Sequence, residues 1–556
     1  MQIDKIKSIR IKWDIWTLST IICLLFFTLF MVYPLLQIFR LSVINDGIFS
    51  FKYFNKFLEK KYYVSALTNS LLVAFSATFT TVIIGTVLAY ITHTMKIYGK
   101  KFLEIIIIIT MLSPPFIGAY SWILLLGRNG VITNFVKNTS GIILPSIYGF
   151  HGMLTVFSLQ LYPLIYLYVS GALKNINKSL LEASESFGCI GIRRFFKVIL
   201  PLLMPMILSG AVLVFMRSMA DFGTPQLIGK GYRTMPYLIY NEFISEVGGN
   251  DGFAAALSVI MVIITLIFFL LQKYISRKMS YTMNANKSME AIQHSGLKNI
   301  AAHIFVYIIV FLGLLPQLTV TYTAFRKTST SGRMFIPGYS LTSFHIAFKK
   351  LGNCLVNTYV FSIVAVLMIV LIGVFVAYLA VRRASVITHL LDTMTMVSYI
   401  IPGSIMGIAL LLGFNRKPFM LVGSVFIMLL AYVLRRIPYT IRSSAAILTN
   451  IHPSVEEAAI SLGASNIKTF GYIVLPMMFP GVLSGAILSW MTIISELSAT
   501  ILLYVKKTET LTIAIYTEVV RSNYGTAAAL SVILALSTVT VLLLFFKLSK
   551  NSEIKI

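Results

Sequence analysis

Residues Ser179 to Leu213 read SLLEASESFGCIGIRRFFKVILPLLMPMILSGAVL, and residues Ser454 to Leu488 read SVEEAAISLGASNIKTFGYIVLPMMFPGVLSGAIL. The two stretches align without a gap. Glu182 falls on Glu457, Ala183 on Ala458, Gly188 on Gly463, Pro201 on Pro476 and Gly210 on Gly485, each pair 275 residues apart. The chain therefore reads as two copies of one unit.

Local chemistry predicts the shape of each copy. Ser179 with Glu182, and Ser454 with Glu457, match the S-x-x-E capping box, so a short helix is expected to start at each serine. Gly188 and Gly463 are expected to end it, because glycine enters the left-handed conformation that closes a helix. Ile192, Phe195, Phe196 and Ile199, like Ile467, Phe470 and Val474, then recur at helical spacing. The Leu-Pro pairs at Pro201 and Pro476 are expected to open the next long helix, whose first turn tolerates proline.

Outward from these stretches, the composition is that of a membrane protein. Of 556 residues, 57% are hydrophobic and 12% charged, too apolar for a soluble domain of this length. The apolar runs are continuous for about twenty residues, which is the length of a spanning helix and not the alternation of a barrel strand. The predicted fold class is an all-α polytopic membrane protein with about twelve spans. They are expected near 14–37, 66–93, 103–127, 143–170, 198–220 and 253–272, then 302–323, 355–380, 387–413, 418–434, 473–495 and 525–546. Gly85 with Tyr90 and Gly373 with Tyr378 extend the repeat into earlier spans at an offset of 288. The polar stretch 273–298 is the expected cytoplasmic linker between a first repeat, 1–272, and a second, 299–556. Six spans each make the repeats parallel.

The net charge of +27 is spread over loops and forms no basic face with interleaved aromatics, so no nucleic acid is expected. With the N-terminus inside, about 26 of the 46 basic residues fall on the cytoplasmic side, a small excess in favour of that orientation. Arg435, Arg436, Arg442 and Lys468 are read as clustering around the second loop, as Lys174, Lys178, Arg193, Arg194 and Lys197 do around the first. The N-terminal apolar run is longer than a signal-peptide core and is expected to stay as the first span. The three cysteines and seven histidines show no ligand spacing, so no metal site is expected. No nucleophile, base or ligand set converges, so no catalytic residue is expected, and no G-x-x-x-x-G-K-[ST] occurs to cradle a nucleotide phosphate.

A short helix, glycine turn and second helix between spans resembles the EAA loop of ABC importer permeases, whose pattern is Glu-Ala-Ala, then Gly, then Leu-Pro. It stands here as Glu182-Ala183-Ser184 with Gly188 and Leu200-Pro201, near 171–200, and as Glu457-Ala458-Ala459 with Gly463 and Leu475-Pro476, near 446–475. Ser184 is the departure among these positions, one small residue for another. The resemblance implies the type I ABC importer (MetI-like) transmembrane fold in a fused two-domain chain, multi-pass in a bacterial inner membrane with both termini cytoplasmic. It implies two ATP-binding subunits docked on the loops, a substrate-binding protein on the outer face, ATP used by those partners, and no cofactor on this chain. Leu180, Ala183 and Phe187 in one copy, and Val455, Ala458 and Leu462 in the other, would offer the docking face.

Four acids are candidates for the solute path or its gate. Asp221 in ADFGTPQLIG and Glu496 in SELSATILLY align at the same offset of 275, and Glu242 in LIYNEFI matches Glu518 in AIYTEVV. Membrane-level carboxylates are costly and often functional, whereas an acid at a helix boundary also serves as a cap. Both readings stand for Asp221 and Glu496, which are placed near span ends. Tyr240 and Tyr516 are read as aromatic anchors at the outer interface, and Arg217 as a local ion-pair partner of Asp221. These stretches resemble ferric iron permeases, and also touch thiamine, polyamine and phosphonate permeases. The four acids would suit a hard cation, although a chelated ion or an anion could travel the same kind of path. The rival class is an ion-coupled secondary transporter, which also occurs as twelve spans in parallel repeats.

Overall fold

The computed structural model describes residues 14–45, 47–112, 114–245, 250–278, 296–328, 335–417 and 419–549. The first repeat contributes α1 (Ile15–Val43), α2 (Lys61–Thr94), α3 (Lys100–Leu112), α4 (Pro115–Leu126), α5 (Phe150–Lys174), α6 (Lys178–Ser186), α7 (Gly191–Ala220), α8 (Gly223–Ile228), α9 (Met235–Ile244) and α10 (Asp251–Lys278). The second contributes α11 (Leu297–Phe325), α12 (Thr342–Arg382), α13 (Val386–Ile400), α14 (Gly403–Phe414), α15 (Val425–Asn450), α16 (Ser454–Ser461), α17 (Asn466–Ile494), α18 (Thr500–Leu503), α19 (Leu511–Val520) and α20 (Tyr524–Ser549). A small antiparallel hairpin follows the first helix of each repeat, Ile44–Asn45 with Ile48–Phe49 and Arg326–Thr328 with Phe335–Tyr339.

Among the described residues, nine helices are long and apolar enough to cross a membrane. Two more expected spans are broken at the same point of each repeat. One chain segment bends by 99° between α3 and α4 at Pro114 and Pro115, and the other by 111° between α13 and α14 at Pro402. Proline removes a backbone donor and disfavours helix in the residue before it, which ends α3 and α13.

The tenth expected span, 418–434, is corrected. Helix α15 starts at Val425, runs through Pro438 and continues to Asn450. Arg435 and Arg436 therefore stand near its middle, not beside the second loop, and the charges that ended the expected span are inside the protein. The linker is also corrected at its start, since α10 continues to Lys278; residues 279–295 lie outside the described residues.

The first helix of each repeat has crossed to the other. Trp16 of α1 packs on Tyr378 and Phe470, with ring centroids 4.6 and 5.2 Å apart, and Phe30 lies 5.8 Å from Phe414. Reciprocally, α11 lies on α3 and α4. A Cβ on its Gly313 would sit 2.8 Å from the Tyr162 hydroxyl of α5. One apolar core thus joins α1 to the second repeat, and another joins Ala302, Val306 and Val310 of α11 to the first.

Within each repeat the same close approaches recur. Gly85 lets α2 meet α5, where a Cβ would lie 2.7 Å from Ile165 Cβ and 2.9 Å from the Tyr162 carbonyl. Gly210 and Gly485 do the same for α7 and α17 against different neighbours. At Gly210 the nearest atom to an added Cβ is the end of a side chain, Ile165 Cδ1 at 2.8 Å, whereas at Gly485 it is backbone, Thr440 Cα at 2.5 Å. A side-chain tip turns aside and a backbone does not. Gly485→Ala is therefore expected to destabilise the fold by about 1–3 kcal/mol, the usual range for overpacking, and Gly210→Ala by less, as read by thermal unfolding in detergent.

Candidate functional site

Two loops and one cavity concentrate the unusual chemistry. The loop helices are α6 and α16. Neither begins with the expected capping box: α6 starts one residue earlier, with the Asn177 side chain accepting the Ser179 N–H at 3.2 Å. Helix α16 follows Pro453 with no side-chain cap, and the Ser454 N–H is bonded to His452 Nδ1 at 3.2 Å. An acceptor two residues upstream reached these N–H groups first. The ends agree with expectation. Gly188 has φ +71° and Gly463 φ +89°, and each helix closes with the paired bonds of a Schellman motif: Cys189 N–H to Ser184 O and Gly188 N–H to Glu185 O, then Ala464 N–H to Ala459 O and Gly463 N–H to Ile460 O.

The third EAA position faces the protein and the second faces away. Ser184 and Ala459 are buried, while Ala183 and Ala458 are exposed. Burial in a tight space explains why serine and alanine are the residues exchanged there, and the Ser184 hydroxyl is satisfied by Leu181 O at 2.7 Å. Glu182 and Glu457 point outward, the first 4.0 Å from Lys178. Beside them Phe187 and Leu462 are 89% and 90% exposed, and Leu180, Ile190, Ile192, Ile460 and Ile467 are exposed too.

Beyond each glycine the chain does not wait for proline to start a helix. Helices α7 and α17 begin at Gly191 and Asn466, and their residues Phe195–Ile199 and Phe470–Val474 wind as wider π turns directly before Leu200-Pro201 and Leu475-Pro476. The proline ring opposes the carbonyl four residues earlier, and that carbonyl lies in the π turn in both copies. Tyr90 and Tyr378 pack on these turns, 4.7 Å from Phe195 and 4.9 Å from Phe470. The second loop has an added anchor, Glu456, which accepts from Arg382 at 2.6 Å and from the Tyr378 hydroxyl at 2.9 Å.

Helices α7 and α17 both end in one cavity of about 210 Å³, between the repeats. Arg217 and Asp221 line it from the first repeat, and Arg435, Arg436, Tyr439 and Glu496 from the second. Because both helices run from a loop to this shared point, the two loops lie on the same side of the bundle. Gln160 of α5 also lines the cavity. Fourteen residues of helix separate it from Lys174, about 21 Å at 1.5 Å per residue. Asp221 and Glu496 are thus at helix ends but deep in the protein, not near its surface as their place in the sequence suggested.

A doubled transport architecture now has its matching evidence. The family model described as binding-protein-dependent transport system inner membrane component matches residues 81–281 and 369–551, once in each repeat. The chain belongs to this family. It is 28% identical over 542 residues to the ferric transport system permease protein FbpB of Actinobacillus pleuropneumoniae, covering 96% of this chain and 78% of the relative. A putative ferric transport system permease protein FbpB 1 of Haemophilus influenzae is also 28% identical, over 88% of this chain and 78% of the relative. The permease is accordingly a multi-pass inner membrane component of a binding-protein-dependent system, a transport subunit, rather than an ion-coupled carrier.

Within the permease cavity the two aligned acids have the same job. Asp221 accepts the Thr224 N–H at 2.8 Å and Glu496 the Ala499 N–H at 3.1 Å, so each caps the short helix that follows. Glu496 also pairs with both Arg435 and Arg436. The expected Arg217–Asp221 pair is absent among the described residues; Arg217 instead faces Tyr439, with Tyr399 and Tyr168 close by. Position 492, its counterpart in the second repeat, is threonine and finds its own partners in Leu488 O and Ser489 O.

Glu242 and Glu518 do not line this cavity. The Glu242 carboxylate accepts from the Tyr63 hydroxyl at 3.4 Å. Glu518 is buried and accepts from Lys350 at 2.8 Å and from Asn523 at 2.9 Å, beside a separate outer pocket with Lys506 and Glu509. Tyr240 and Tyr516 are not interfacial anchors. Tyr240 packs 4.4 Å from Phe222, and Tyr516, 6.2 Å from Phe116, is buried where the repeats meet. Phe116 and Phe222 of the first repeat lie against Tyr516, whereas the ring on Tyr240 comes from its own repeat.

Arg435, Arg436, Arg217 and Tyr439 are the site residues that sequence reading missed. One signal was available: Pro163 and Pro438 are 275 apart, and extending the alignment through them puts Arg435 on Gln160, inside a helix. Among the described residues no group of three or more His, Cys, Asp or Glu is arranged to hold a metal ion.

Proposed function

We propose that this chain forms both halves of the translocation path of an ATP-driven importer for ferric iron. The observation that carries the substrate is the likeness to a ferric transport permease along 96% of the chain. In this reading two separate ATP-binding subunits dock on α6 and α16 from the cytoplasm, and closure of that pair draws the loops together. The rigid π-turn segments of α7 and α17 pass the movement to the cavity in which both helices end. A soluble binding protein delivers the solute on the opposite face. Both termini are cytoplasmic, ATP is hydrolysed by the partners, and the permease itself holds no cofactor. The exposed apolar side chains of the loops and the absence of a phosphate-cradling motif support this division of labour.

The test is reconstitution of the permease with its ATPase subunits and binding protein in liposomes. Ferric iron is expected to raise ATP turnover several-fold over the iron-free assembly, and thiamine, a polyamine or a phosphonate to leave it at the basal rate. Stimulation by one of those three without iron would remove iron as the cargo.

A further inference from the structure

The charge around the central cavity is opposite to what a bare metal cation needs. Three guanidinium groups, Arg217, Arg435 and Arg436, face two carboxylates, and both carboxylates are already engaged. Asp221 is bonded to the Thr224 N–H, and Glu496 is shared between the Ala499 N–H and two arginines. Among the described residues Arg217 makes no ion pair with either acid, and it faces the tyrosines Tyr439, Tyr399 and Tyr168. A charged side chain held inside a membrane protein without a counter-ion is expensive and marks a ligand or ion path. Guanidinium presents a planar fork of donors that matches the paired oxygens of carboxylate and phosphate, and rings of such groups select anions in pores.

We propose that this cavity is a transit site for an oxyanion or polycarboxylate, with Arg217, which has no acid partner among the described residues, as the fork that meets it. On the iron reading above, on which this second clause rests, ferric iron crosses as a net anionic complex with its oxygen ligands still attached. The cavity volume of about 210 Å³ corresponds to roughly seven waters of liquid, enough for a small complex or a hydrated phosphate. The lack of a protein donor set for a metal among the described residues fits cargo that brings its own ligands. Arg217 has no counterpart in the second repeat, so a single group is expected to dominate the effect.

The experiment is double-label uptake into liposomes containing the wild-type permease, its ATPase subunits and the binding protein loaded with radiolabelled iron. One arm carries radiolabelled phosphate and the other radiolabelled citrate. Anion label is expected to enter with iron at a fixed ratio in at least one arm. Arg217→Gln is expected to cut that joint uptake about tenfold, and Arg217→Lys to retain part of it, since the charge remains while the fork is lost. Iron entering without either anion label, with Arg217→Gln within twofold of wild type, overturns the anion site and leaves the iron reading intact. Anion label entering without iron upholds the anion site and removes iron as its cargo. Entry of neither overturns both. The wild-type arms decide the matter by themselves if Arg217→Gln fails to assemble.

Discussion

Glu496→Ala is expected to cost about 3–5 kcal/mol of folding stability, the usual penalty for removing one partner of a buried charge cluster. The carboxylate pairs with both Arg435 and Arg436 and accepts the Ala499 N–H that opens α18. Its removal leaves two guanidinium groups in a cavity that already holds Arg217. Glu496→Gln keeps the cap and loses the charge, so it is expected to recover only a small part of the loss. Replacing Arg435 and Arg436 by methionine in the Glu496→Ala background is expected to recover most of it, because the two guanidinium groups that lost their partner are then gone. Denaturant unfolding in mixed micelles reads all three variants. A loss below about 1 kcal/mol for Glu496→Ala would mean that another group neutralises the arginine pair.

The second large effect is on assembly. Phe187→Asp with Leu462→Asp is expected to strip the ATPase subunits from the purified permease while leaving its thermal unfolding unchanged. Both side chains are about nine-tenths exposed, so they contribute little to the fold. An aromatic or aliphatic anchor that fills a partner's pocket is worth about 2 kcal/mol or more, and a carboxylate at each of two loops removes both anchors and adds a desolvation cost. Each single variant is expected to leave one subunit attached. Retention of both ATPases by the double variant would place the docking surface elsewhere. Loss of both with a lowered unfolding temperature would instead show that these side chains support the loops.

How far the sequence could be read depended on the range of the interaction. The left-handed glycines of the loops follow from turn chemistry within a few residues and were expected, whereas the π turns before Pro201 and Pro476 and the burial of Ser184 and Ala459 were not. The capping boxes failed for a local reason as well: Asn177 and His452 compete for the same N–H groups, and a motif match does not weigh competitors. The end of the tenth span failed because apolarity was used as the sign of a membrane helix. Arg435 and Arg436 interrupt an apolar window without interrupting the helix, since both pair with Glu496, about 60 residues away in the chain.

What the sequence by itself determined is the doubling, the helical class and the position of both loops, because periodicity, turn chemistry and chain length act through adjacent residues. Only the tertiary structure decided that α1 and α11 change places, that Tyr516 is buried and Tyr240 half-buried between repeats, and that Asp221 and Glu496 meet three arginines in one cavity. Each of those outcomes depends on surfaces and charges brought together from distant parts of the chain. The energy of such a contact exists only after the two repeats have packed, so no pattern within either repeat encodes it.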